Sequence, residues 1–457
     1  MSQGAAFFDL DRTLLSGASG PVISQALRAV GVLPDRSIPG EGLLYKVFDT
    51  VGETLPAMLL TRQAARVAAG WNRSLVREAG AMVAERLVDV VQPFGRLLID
   101  EHHAAGRQVV LATTSPFDLV EPLAELLGLD GVIATRYGES DGAYDGTIVG
   151  DFVWGPGKLA AVRAWAAARD IDLSESYAYS DSVFDTPLLG AVGFPVAVNP
   201  DPRLRVMATL RRWPQHYLDV PPGVPKLGGF EPQRVLQGIV RPELMPFVRW
   251  DIGDLTELPR TGPVILVANH RSYFDPLALG FVAGRVDRAV RFLGKKEVFD
   301  APVVGQLARA MGAIRVDRGS GSDVPLNRAA EALSAGEAIV ILPQGTIPRG
   351  EAFFEPKLVG RWGAAKLAAE TRAPVVPIGL WGTEDVWPRA SRLPNLTNVT
   401  HPPTVRVRVG PPVDLKYRSP QADTDRIMRA IEALLPAEAS VRREPTAAEL
   451  ARSRPPT

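Results

Sequence analysis

The 457-residue chain contains no cysteine. That excludes disulfides, thiolate metal sites and a cysteine nucleophile, and it fits a reducing compartment. Histidine is scarce: His102, His103, His216, His270 and His401 are the five in the chain, so few positions can serve as a base at neutral pH. There is no excess of charge either. The 51 Lys and Arg balance 51 Asp and Glu, so no overall basic field favours nucleic acid. No stretch of about 18 uncharged apolar residues occurs, and no spanning helix is expected. The N-terminus, Met-Ser-Gln-Gly-Ala-Ala-Phe-Phe-Asp, lacks the basic region and long apolar run of a signal peptide.

What is present is an ordinary globular composition, 46% hydrophobic and 22% charged. The length exceeds what one core usually organises, so two domains are expected. Two blocks alternate short apolar runs with amphipathic segments, the pattern of α/β units. In the first, residues 1–213, the runs are Ala5–Phe8, Val109–Ala112, Gly131–Ala134, Ser176–Tyr179 and Pro195–Val198. An insert at about 18–95 has helical spacing at Leu55, Leu59, Leu60, Ala64 and Val67 and again through Leu75–Val91, which predicts a helical cap. Residues 214–232, rich in Pro and Gly, read as an irregular linker. The second block, 233–435, has runs at Val264–Ala268, Val290–Leu293, Ala338–Leu342, Val375–Leu380 and Val405–Val409. A helix is expected from about Asp323, with Pro325 in its first turn and Gly336 past its end. The Pro-, Arg- and Glu-rich stretch 436–457 is expected to be disordered.

In the first block, Phe8-Asp9-Leu10-Asp11-Arg12-Thr13 places two acids two residues apart just past an apolar strand. Alternate residues of an extended chain share a side, and ligand crevices lie at the carboxyl ends of such strands. Two acids there can hold a hard cation, or one can attack phosphorus while the other moves a proton. An isolated Asp-x-Asp is more often a solvated loop, but this one has company. Ala112-Thr113-Thr114-Ser115 ends a second strand in hydroxyls, Gly155-Pro156-Gly157-Lys158 offers a cation before a helix, and Ser180-Asp181-Ser182-Val183-Phe184-Asp185 ends a third run with two acids. Gly155–Ala160 also fits the dinucleotide fingerprint Gly-x-Gly-x-x-Gly/Ala, but late in the block rather than after a first strand. In order and spacing the four segments resemble the motifs of the haloacid dehalogenase (HAD) superfamily of phosphatases. The resemblance implies a Rossmannoid α/β domain with a helical cap. It makes Asp9 the nucleophile and Asp11 the general acid/base, with Thr113 and Lys158 on the phosphoryl oxygens. Asp181 would complete a Mg2+ site with Asp9 and the Asp11 carbonyl, and Asp185 would support that site, directly or through water. The cap resembles that of the phosphoserine-phosphatase branch, yet the acid that usually follows the first motif there is absent from Leu15-Ser16-Gly17-Ala18-Ser19-Gly20.

In the second block only His270 has an aspartate five positions on, Asp275, in Asn269-His270-Arg271-Ser272-Tyr273-Phe274-Asp275. A carboxylate on one ring nitrogen fixes the tautomer and stabilises the imidazolium when the other nitrogen takes a proton. The pair alone is equally a surface histidine beside a helix-capping aspartate. Cations follow apolar runs at Lys295 and Arg318, and the strand Ala338–Leu342 ends in Pro343-Gln344-Gly345-Thr346-Ile347-Pro348-Arg349. Together these segments resemble the PlsC-like acyltransferases of lysophosphatidate and glycerol 3-phosphate. The resemblance implies a second α/β domain in which His270 is the general base and Asp275 orients it. Lys295, Arg318 and Arg349 would hold the acceptor phosphate, and Gln344, Gly345 and Thr346 would shape its pocket. The family's Glu-Gly-Thr-Arg-Ser is altered here: Gln344 replaces the acid and Arg349 comes two positions late.

The expected protein is therefore a fusion of a Mg2+-dependent phosphatase with an acyltransferase. The donor would be acyl-CoA or acyl carrier protein and the acceptor a lysophospholipid. The alternative is a glycerol-3-phosphate or other lysolipid acyltransferase whose first domain is non-catalytic or regulatory. A lipid substrate without a spanning helix implies a cytoplasmic protein, peripheral on the inner face of the plasma membrane. Residues 235–250, apolar with interspersed Arg234, Arg241 and Arg249, are a plausible interfacial segment, although Pro242 and Pro246 interrupt it.

Overall fold

Apolar runs too short for helices become strands when helices can cover them. In the computed structural model, residues 3–34, 55–226, 229–302, 304–316, 324–442 and 444–455 are described. The chain divides into two compact units, Met1–Pro222 and Gly223–Thr457.

The first unit holds β1 (Ala5–Phe8), β2 (Gln108–Pro116), β3 (Gly131–Ser140), β4 (Ala143–Val149), β5 (Tyr177–Ser180), β6 (Phe194–Val198) and β7 (Gln215–His216). Their order is β4-β3-β2-β1-β5-β6-β7, parallel except for the β3–β4 hairpin. β1 is central and all four of its residues are buried, as a parallel strand covered on both faces must be. Each apolar run read from the sequence coincides with or overlaps a strand, whereas β4 and β7 went unread. Asp141 and Gly142, both at positive φ, turn the chain between β3 and β4.

The described part of the 18–95 insert is helical, with helices Gly20–Ala29, Leu55–Val67 and Arg73–Leu87; its residues 35–54 lie outside the described residues. Arg73 grips Asp118 through two hydrogen bonds of 2.9 and 3.1 Å, and Tyr144 donates to the same carboxylate at 2.7 Å. Burial raises the Asp118 carboxyl, but these partners outweigh it and hold the group below its ordinary range. A Cβ at Gly80 would lie 2.3 Å from the Asp118 carbonyl oxygen, so only glycine permits this approach.

Within 214–232, Gln215 and His216 add β7 to the sheet, Leu218 and Val220 are buried, and Pro232 opens the helix Pro232–Ile239; the other described residues of the stretch are turns and irregular chain.

The second unit holds β8 (Arg249–Ile252), β9 (Val264–Ala268), β10 (Val290–Lys295), β11 (Ile314–Val316), β12 (Ala338–Ile341), β13 (Val375–Trp381) and β14 (Thr404–Val409). The order is β11-β10-β12-β9-β13-β14-β8. β14 runs antiparallel to β13, and β8 is parallel to β14. Buried clusters cover both faces of this sheet. The helix expected near Asp323 is Val324–Ser334, followed by Gly336 at φ +80°. Residues 235–250 break where the prolines stand, and Leu236, Ile239 and Leu244 remain exposed. The tail corrects an expectation of disorder. A capping box between Thr446 and Glu449 starts the helix Ala447–Arg452, Arg452 pairs with Asp385 at 3.0 Å, and Ser453 accepts the Gly350 N–H at 3.1 Å.

Arg291 on β10 is fully buried. It pairs with Glu231 and, through Nε at 2.9 Å, with Glu337. Glu231 immediately precedes the helix Pro232–Ile239, so the pair ties that helix to the sheet. Removing one member of a buried pair leaves the other charge uncompensated. Glu231→Ala is expected to lower the stability of the second unit by about 3 kcal/mol in urea unfolding.

Candidate active sites

In the first unit, Asp9 follows β1 directly, and its N–H donates to the Tyr179 carbonyl of β5 at 2.9 Å. Lys158 enters from the first turn of the helix Pro156–Ala167 and is almost completely buried. Its Nζ lies 2.8 Å from Asp9 Oδ1 and 2.6 Å from Asp185 Oδ2. Two carboxylates thus compensate the desolvated ammonium. Ser180 donates to the same Asp185 oxygen at 2.7 Å, while Asp185 Oδ1 is buried without a hydrogen-bond partner. Asp181, also buried, meets Arg12 Nε at 3.2 Å. Arg12 adopts φ +57°, a left-handed turn stabilised by Gln92, whose side chain donates to the carbonyls of Arg12, Thr13 and Leu15. Asp11 accepts the Ser19 N–H at 2.6 Å, and Thr113 is buried near the end of β2.

Asp185 is tied to Lys158, the Asp11 carboxylate to Ser19, and no set of three His, Cys, Asp or Glu poised to bind a metal occurs among the described residues. Asp9 and Asp181, at the ends of adjacent strands, still offer the hard oxygen ligands that suit Mg2+. Two carboxylates suffice where a main-chain carbonyl and water complete the shell.

Behind β1 and β5 lies a histidine the sequence did not mark as special. His102 is buried against Phe8, Tyr177 and Tyr179. Arg107 Nε donates to its Nδ1 at 2.7 Å, so Nε2 carries the proton and donates to Tyr179 Oη at 2.8 Å. Burial, helped by the charge on Arg107 and by His103, pushes this imidazole down to about 4.

In the second unit, β9 ends at Ala268 and the loop that carries His270 follows. Asn269 locks the loop to β13: its side chain donates to the Leu380 carbonyl and accepts the Leu380 N–H, both at 2.8 Å. His270 Nδ1 lies 2.7 Å from Asp275 Oδ2. Asp275 is fully buried at the start of the helix Asp275–Gly284. The same oxygen accepts the N–H groups of Arg271 at 2.7 Å and Ser272 at 2.9 Å, and Oδ1 accepts the Thr383 hydroxyl at 2.6 Å. Gln344 reaches from the turn after β12 and accepts the His270 N–H at 2.6 Å. Lys295, at the end of β10, donates to the Thr346 hydroxyl at 3.2 Å.

Comparison with known proteins matches each unit separately. The family model of haloacid dehalogenase-like hydrolases matches residues 6–190, and that of acyltransferases matches residues 249–381. An inhibition of morphological differentiation protein from Streptomyces azureus is 41% identical over 218 residues, covering 46% of this chain and 76% of that protein. The chain belongs to the haloacid dehalogenase-like hydrolases and carries an acyltransferase domain fused behind. A phosphoserine phosphatase of Mycobacterium tuberculosis is 35% identical over 220 residues, 46% of this chain and 69% of the relative. Among solved structures, the 1-acyl-sn-glycerophosphate acyltransferase of Thermotoga maritima is 22% identical over 44% of this chain and 80% of that one, with a TM-score of 0.33.

Within the acyltransferase domain the structure brings His270, Asp275 and Gln344 together, and joins Lys295 to Thr346. Gly345, at φ +72°, spends its N–H on the Leu342 carbonyl at 2.8 Å, so that amide is not free to steady an oxyanion. Arg349 is exposed, and Arg318 lies outside the described residues. Arg389, which is buried, donates to the carbonyls of Ile347 and Pro348 in the chain after β12. Thr383 and Glu384 were also missed; Glu384 holds the Arg271 guanidinium at 2.6 Å. Gly382-Thr383 reads as a turn into a helix, but no local spacing links Thr383 to Asp275.

His102 gives the hydrolase domain a pH dependence. An unfolded histidine titrates near about 6.5. Below that value the unfolded chain takes up a proton that the folded domain refuses. Its contribution is therefore complete above about pH 6.5 and declines as pH falls toward 4. His102→Gln is expected to flatten the loss of unfolding free energy between pH 7 and pH 5.

Proposed function

We propose that the acyltransferase domain transfers an acyl group from acyl-CoA or acyl carrier protein to lysophosphatidate, giving phosphatidate. The buried Asp275 bonded to His270 Nδ1 carries this reading. With that nitrogen protonated, Nε2 is the free base. It takes the proton of the acceptor hydroxyl, and the alkoxide attacks the thioester carbonyl. The C–S bond then breaks, and the departing thiolate recovers the proton from His270. Lys295 and Arg318 are the cations we assign to the acceptor phosphate. Gln344 steadies the base through its main-chain N–H.

The hydrolase domain, in the same reading, is a phosphomonoesterase. Asp9 attacks phosphorus, Asp11 gives a proton to the leaving group, and Thr113 and Lys158 hold phosphoryl oxygens. Asp9, Asp181 and the Asp11 carbonyl would hold Mg2+, which neutralises phosphate charge when bound. Asp185 acts by fixing Lys158.

No helix among the described residues is long and apolar enough to cross a membrane. We assign lipid access to a peripheral contact on the inner face of the plasma membrane, made by exposed Leu236, Ile239 and Leu244 with the neighbouring arginines. Replacing these three residues with Ser is expected to reduce sedimentation with anionic vesicles.

Removing an essential base costs about 100-fold or more. His270→Ala should therefore abolish phosphatidate formation from oleoyl-CoA and lysophosphatidate while sparing phosphate release. Asp9→Asn should do the reverse, with wild-type phosphate release lost on Mg2+ chelation. Equal phosphatidate rates in wild type and His270→Ala would refute the first assignment.

A further inference from the structure

The acyltransferase family match ends at Trp381. Two residues later, the Thr383 hydroxyl donates to Asp275 Oδ1 at 2.6 Å. We infer that Thr383 is a positioning residue for the catalytic pair, fixing the rotation of the Asp275 carboxylate so that its other oxygen faces His270. This rests on the reading of His270 as the general base.

The carboxylate has four donors, unevenly divided. Oδ2 receives the His270 ring and the N–H groups of Arg271 and Ser272. Among the described residues, Oδ1 accepts from the Thr383 hydroxyl alone. Both Thr383 and Asp275 are fully buried, so water has no ready route to replace that donor. A buried carboxylate oxygen without a donor is costly. Without the hydroxyl, the carboxylate gains by turning Oδ1 toward the loop donors, and the bond to the imidazole is disturbed.

Thr383 is held firmly enough for this task. β9 and β13 are neighbours in register, Ala268 opposite Ile378, and the Asn269–Leu380 pair continues the connection past the ladder. At φ +84°, Gly382 then turns the chain. A Cβ there would lie 2.2 Å from the Thr404 carbonyl oxygen, so the turn is specific to glycine. The helix Thr383–Val386 follows at once, and Glu384 holds Arg271 from the same corner. Both flanks of the His270 loop are thus referred to the end of β13.

The test is a graded series in the full-length protein: Thr383→Ser, Thr383→Cys and Thr383→Val. Serine keeps the donor, cysteine offers a weak one at similar volume, and valine has none. Acyl transfer from oleoyl-CoA to lysophosphatidate is measured with KM and kcat separated, and the downfield NMR resonance of the His270 Nδ1–H is recorded. The expected order of kcat is wild type and Ser, then Cys, then Val, with Val lowered about tenfold or more and KM unchanged. The resonance weakens in the same order. Should Thr383→Val not fold, the Cys variant decides: reduced kcat with a weakened resonance supports the role, and wild-type values overturn it. A Val variant that folds and retains both kcat and the resonance also overturns it. If the wild type transfers no acyl group, the proposed activity fails separately, and the resonance alone decides whether Thr383 orients Asp275.

Discussion

A carboxylate shut away from water is tolerated only if its oxygens are met by donors. Asp275 satisfies that condition with an imidazole, two loop amides and a distant hydroxyl. Much of the second unit is arranged around it. β9 delivers the loop that supplies three of the donors, β13 delivers the fourth, and Asn269 holds the two strand ends together. The hydrolase domain solves the inverse problem. There the isolated charge is the Lys158 ammonium, and carboxylates come to it from β1 and from the turn after β5. In both units the ends of parallel strands gather side chains that no short segment could bring together.

That arrangement decides what could be read in advance. His270 and Asp275 occupy one loop, so five positions of spacing carried the geometry. Asp9 and Asp181 stand just past β1 and β5, where apolar runs ending in acids marked them. The strands were legible because buried parallel strands are continuous apolar runs. β4 was not, since it alternates and carries Asp145 and Gly146, although Asp141-Gly142 is a hairpin signal that could have marked it. Thr383 and Arg389 were beyond reach, because their partners are set by strand order. The tail was misread from composition. Its helix is short, but Thr446 and Glu449 form a capping signal that outweighs the prolines nearby.

The acids of the hydrolase domain each meet a partner of their own: Asp181 lies beside Arg12, Asp185 against Lys158, and Asp11 accepts from Ser19. Internal cations therefore balance part of the negative charge, which lowers the repulsion that a cluster of carboxylates would otherwise impose on the fold.

The strand order of the acyltransferase domain also bears on synthesis. β8 is its first strand in sequence, yet it pairs with β14, the last, with Arg249 opposite Thr404. Its hydrogen-bonding edge has no partner until some 150 further residues have been made, a separation that makes closure slow. The hydrolase domain completes its own sheet at His216, before β8 leaves the ribosome. A newly made chain therefore passes through a stage in which a completed hydrolase sheet precedes an acyltransferase sheet whose first strand is still unpaired.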